Sequence, residues 1–166
     1  MALYFDYGAT SPVRKEVLDT MLPFFSDIFG NPGSIHDMGR QAHTHIQHAR
    51  EQIAHALGAG SSREILFTSS GTEANNLAII GASLYHKKRG NHIITTEIEH
   101  PSVLEACRFL EKNGFRVTYL PVDKYGKIRL EDVEHAISPD TILISIMAAN
   151  NEVGTIQPLK EIASLL

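Results

Sequence analysis

Residues 64–76, EILFTSSGTEANN, hold the first residues whose order could do chemistry: an apolar run gives way to Ser69-Ser70-Gly71-Thr72 and then to a helix-compatible segment. That order builds an anion cradle. Glycine lets the backbone approach closely, the first N–H groups of a helix lack internal partners, and Ser or Thr adds a hydroxyl, so a phosphate is a natural guest. The same residues taken alone serve as an ordinary N-capped helix. His100, in Glu99-His100-Pro101, closes a second apolar run. Imidazoles in general titrate near ~6.5 and suit proton transfer, and a hydrogen-bonded structural histidine is the alternative. Asn150-Asn151 closes a third run. An amide there can donate or accept without adding charge, while an Asn pair ahead of Glu152-Val153-Gly154 is also a turn signal.

Other chemistries find less support. His43, His45, His48 and His55 share one segment, but only His45 and His48 have the spacing of helical ligands and no suitable third ligand accompanies them, so a solvated polar face is expected and no metal. Cys107 is the single cysteine; its place in PSVLEACRFLEK puts it on the apolar face of an amphipathic helix, where burial is expected. No Gly-x-Gly-x-x-Gly follows the first expected strand, which argues against a dinucleotide-binding domain.

These residues need elements to hold them. The pattern predicts helices over 13–28 and 39–57, the second from apolar positions Ala42, Ile46, Ala49, Ile53 and Ala56, with Gly58 as its stop. Strands and helices then alternate: strand 64–68, helix 72–88, strand 92–96, helix 102–112, strand 116–120, a turn at 123–126, helix 130–137, strand 141–147 and a helix from about Leu159. Such alternation implies an α/β fold with parallel pairing through right-handed crossovers, and ligands beyond the carboxyl ends of the strands. Ser70 to Thr72, His100 and Asn151 each follow such an end, so three segments are expected to meet on one rim.

In this order and at these separations, YFDYGATSP, FGNPGSIHDMGR, the Ser-Gly-Thr-Glu segment, ITTEIEHPSV and SIMAANNEVGTIQP resemble the class V, NifS/IscS-like cysteine desulfurases, over essentially all 166 residues. The resemblance implies the large domain of the pyridoxal phosphate (PLP)-dependent transferases of aspartate aminotransferase type (fold type I), a mainly parallel sheet with flanking helices, here incomplete. It assigns Gly71 and Thr72 to the PLP phosphate, His100 to stacking on the pyridine ring and moving protons, and Asn151 to the cofactor or a substrate carboxylate. Asp6-Tyr7-Gly8-Ala9-Thr10 resembles the family loop that approaches the substrate, with Gly8 where Ala or Ser is usual. The Schiff-base lysine of the family follows a Ser-x-His-Lys stretch, and none of the seven lysines here has that context.

The chain is therefore expected to be the N-terminal part (1–166) of the PLP-binding large domain, with a C-terminal remainder and small domain absent. The implied activity converts L-cysteine to L-alanine and passes sulfur to an enzyme persulfide for iron-sulfur or thio-cofactor synthesis, inactive in this chain alone. Expected partners are a C-terminal half or full-length homologue, a homodimer when complete, and an iron-sulfur scaffold protein. The alternatives are a non-catalytic partner-binding chain, or half of a class V aminotransferase or a selenocysteine lyase. A net charge of −4 gives no reason to expect nucleic acid, and Lys87-Lys88-Arg89 reads as a helix C-terminus. No apolar run approaches the ~20 residues of a membrane span, and the N-terminus lacks a basic stretch followed by an apolar one, so a cytoplasmic location is expected.

Overall fold

The computed structural model describes residues 3–165. They form two compact units, one reaching to Phe67 and one from Thr68 onward.

In the first unit α1 (Lys15–Met21) and α2 (Pro23–Ser26) replace the single helix expected over 13–28. Pro23 has no N–H to continue α1 and instead occupies the first turn of a new helix. The long helix α3 (Asp37–Leu57) starts where His36 Nδ1 accepts the Gly39 N–H and stops at Gly58, whose φ of 68° is left-handed. A 3₁₀ turn, Ser62–Glu64, follows it. The strand expected over 64–68 is not formed. A strand exists only through ladder bonds, and no strand among the described residues pairs with this one. The Ile65 carbonyl instead accepts from the Arg50 guanidinium, which also lies 4.9 Å from the centre of the Phe67 ring.

The second unit follows the expected alternation closely: α4 (Gly71–His86), β1 (His92–Thr96), α5 (Pro101–Lys112), β2 (Arg116–Leu120), α6 (Leu130–Ala136), β3 (Thr141–Ile144) and α7 (Leu159–Ala163). The three strands make one parallel sheet in the order β2-β1-β3. In β1, Ile93 packs with Ile79, Val103, Cys107 and Leu110 of α4 and α5, whereas Ile94 packs with Val133 and Ile162 of α6 and α7. Adjacent strand residues point to opposite faces, so this pair explains helices on both sides of the sheet. Full burial of an Ile or Leu contributes about 1.5–3 kcal/mol each, and Ile93, Ile94 and Leu110 are all fully buried.

Two details set the sheet's ends. β3 stops at Ile144 rather than at Met147; Ser145 still donates to the Ile94 carbonyl at 2.8 Å, but the Met147 N–H turns to the Glu99 carboxylate. At the opposite end His92 is fully buried, with Nδ1 2.7 Å from Thr141 Oγ1 and Nε2 2.8 Å from Thr118 Oγ1, so one ring joins all three strands.

Candidate functional site

The start of α4 is capped in part. Ser70 Oγ accepts the Glu73 N–H at 3.2 Å, and Glu73 Oε2 accepts from the Ser69 N–H at 2.7 Å and the Ser69 hydroxyl at 2.6 Å. Those bonds hold the Glu73 carboxyl below the ordinary range. The N–H groups of Gly71 and Thr72 and the Thr72 hydroxyl have no protein partner among the described residues, and both residues are exposed. Three donors thus stand free at the positive end of a 16-residue helix. An added Cβ at Gly71 would meet nothing within 4 Å, so the approach is open.

His100 is the N-cap of α5 and is exposed. Its Nδ1 lies 2.8 Å from Ser102 Oγ and accepts from the Ser102 N–H at 3.1 Å. Asn75, one turn into α4, donates to the same Oγ at 2.8 Å. This chain of bonds joins the start of α4 to the loop that carries His100.

The segment after β3 is tied to the same loop. Buried Asn150 donates to the Ile98 carbonyl at 3.2 Å, and Glu99 Oε1 accepts from both Met147 N–H and the Thr96 hydroxyl. Burial pushes the Glu99 carboxyl upward against the pull of those two donors. Asn150 Oδ1 also accepts the N–H groups of Glu152 and Val153, which folds the turn that Gly154 completes at φ 75°. Asn150 is therefore the turn former. Asn151 is exposed, and among the described residues its amide bonds only to Glu152 Oε1, at 3.1 Å.

The structure thus brings together the segments of Gly71 and Thr72, His100 and Asn151 within the second unit. The loop Asp6–Thr10 belongs to the first unit, where the Tyr4 hydroxyl donates to the Asp6 carbonyl at 3.0 Å. Sequence reading does not single out Asn75, Ser102 or Glu99; only the adjacency of Glu99 and Ser102 to His100 could have drawn attention to them.

Elsewhere, Cys107 is fully buried and its thiol is pushed up to about 11, chiefly by burial. His45 packs edge-on against Phe24 at 5.0 Å. Lys87 caps α4 and reaches the Asn113 carbonyl. No helix of the described residues is long and apolar enough to cross a membrane.

A model of one family, aminotransferase class-V, matches residues 3–166. The chain belongs to that family. Among class-V relatives it is 55% identical over 163 residues to a cysteine desulfurase IscS of Dictyoglomus turgidum, covering 98% of this chain and 41% of the relative. A solved structure of a NifS-like protein superposes with a TM-score of 0.95 at 46% identity, over 99% of this chain and 45% of that one. Another, described as SspA in complex with cysteine, gives 0.91 at 47% identity over 98% and 46%. The class-V chain described here spans about 40% of the length of such curated relatives and matches their N-terminal portion.

The donors present suit PLP. Two free amides and a hydroxyl at a helix N-terminus answer a phosphate, an open imidazole face answers an aromatic ring, and a neutral amide answers an oxygen on that ring or on a substrate.

Proposed function

We propose that this chain is the N-terminal part of a PLP-dependent cysteine desulfurase, acting on L-cysteine to give L-alanine and a persulfide sulfur bound for iron-sulfur cluster or thio-cofactor assembly. The observation that supports this reading is the hydrogen-bonded link from Asn75 of α4 through Ser102 to His100, which joins the helix that begins at Gly71 and Thr72 to the loop of the imidazole. Identity of 55% to a cysteine desulfurase IscS supports the choice within the family.

PLP, when bound, supplies the electron sink for the charge left when an amino acid loses its α-proton. The residues of this chain bind and orient. The Gly71 and Thr72 N–H groups and the Thr72 hydroxyl hold the phosphate. His100 would contact the cofactor ring and hold a proton at an imidazole nitrogen. Asn151 donates from its amide to the cofactor or to the substrate carboxylate. Residues 1–166 form one stretch of the PLP-binding large domain, and covalent anchoring of the cofactor, together with the sulfur-accepting thiol, comes from the part of the family fold that these residues do not span. The completed enzyme is cytoplasmic, homodimeric, and delivers sulfur to a scaffold protein.

Co-expression with the C-terminal portion of a class-V desulfurase tests this. Restored visible PLP absorbance together with alanine release from L-cysteine, and sulfide release when a thiol reductant is supplied to reduce the persulfide, is the expected result. Stable association without absorbance would favour a non-catalytic partner-binding chain, and alanine release without sulfide would redirect the assignment to another class-V activity.

A further inference from the structure

This inference rests on the proposed role of His100 beside the cofactor. The Ser102 backbone N–H, 3.1 Å from His100 Nδ1, can only donate, so Nδ1 presents a lone pair and an uncharged ring carries its proton on Nε2. Ser102 Oγ lies 2.8 Å from the same nitrogen. Its hydroxyl hydrogen must point at Nδ1, since otherwise two lone pairs would face each other. With that hydrogen committed, Oγ accepts from its other side, and Asn75 meets it there with its amide nitrogen at 2.8 Å. One backbone donor therefore sets the direction of three side chains on two helices. Ser102 is buried and Asn75 half-buried, so water competes little for these bonds.

We propose that Asn75 and Ser102 are positioning residues that fix His100 as the Nε2–H tautomer, so that the imidazole meets its ligand as an N–H donor rather than as a base. To accept a proton at Nε2, the ring must first give up the proton it carries there and take one up at Nδ1, against both donors that face that nitrogen.

Nitrogen NMR of the 166-residue chain with ¹⁵N-labelled histidine reads this without any cofactor, recorded above the general imidazole range of ~6.5, with His100 assigned by loss of its signals in His100→Gln. The expected result is a pyridine-like shift at Nδ1 and a pyrrole-like shift at Nε2. Asn75→Asp keeps the shape but can only accept, so the Ser102 hydroxyl turns toward it and the Nδ1 signal is expected to move toward the pyrrole-like position. Ser102→Ala leaves the backbone donor alone and is expected to give an intermediate shift; it carries the comparison if the Asp variant does not fold. A pyrrole-like Nδ1 in the unsubstituted chain, or identical shifts in all three proteins, overturns the proposal. PLP absorbance in the completed enzyme reports separately on the cofactor, so a failure there is distinguishable from a failure here.

Discussion

Thr72 offers the cleanest test at the scale of single residues, because replacing it with Val removes one donor while keeping the side-chain shape and both neighbouring amides. A hydrogen bond to a charged group contributes about 1.5–3 kcal/mol, so Thr72→Val should weaken PLP affinity by about tenfold or more. Titrating the completed enzyme with PLP by visible absorbance measures it, and an unchanged midpoint removes Thr72 from the site. Gly71, Thr72 and His100 are legible in the sequence because each is a polar break at the end of an apolar run. Asn150 and Asn151 are not separable that way. They share one chemistry, and only the turn geometry commits Asn150 to the backbone while leaving Asn151 exposed. Asn75 and Ser102 carry no local signal, since their meaning arises only when α4 packs on α5.

At the level of elements, β1 carries two predictions. Burial and the positive charge of Arg116 hold the His92 imidazole below its ordinary value of ~6.5. As pH falls, the unfolded chain takes up this proton before the folded one does. The stability contribution is therefore complete above ~6.5 and is lost as pH drops from there toward the lower folded value. Urea unfolding at about pH 5.5 and about pH 7.5 should show the loss, with a shallower pH dependence in His92→Gln. Gly90 precedes β1, and a Cβ there would overlap the Asp140 carbonyl ahead of β3. Gly90→Ala should cost about 1–3 kcal/mol in thermal or urea unfolding, and an unaltered midpoint would show that the turn yields freely. The strands at 92–96 and 116–120 are legible from β-branched apolar runs bounded by turn residues. The absent strand at 64–68 is not, because ladder partners are non-local and sequence reveals the run without its neighbours.

Across the whole molecule, burial is unevenly shared. Among the described residues the only buried apolar side chains before Thr68 are Ala42 and Ala54, whereas the second unit buries Ile93, Ile94, Leu110, Phe115, Leu120 and Val133 among others. The first unit instead has an apolar hollow of about 360 Å³ lined by Phe24, Phe29, Ala42 and Ile46, and Phe25 stays 75% exposed. Apolar burial is the main favourable term in folding, so limited proteolysis of this chain should cut first before Thr68 and leave a resistant product from about that residue onward. Early cuts within 92–120 would contradict that order. The loop bearing His100 is bonded to α4 through Ser102 and to the segment after β3 through Glu99 and Ile98, and its anchors lie against the best-buried strand. Amide hydrogens around it should therefore be among the slowest to exchange in the second unit, and early exchange there would show that these bonds do not hold the loop.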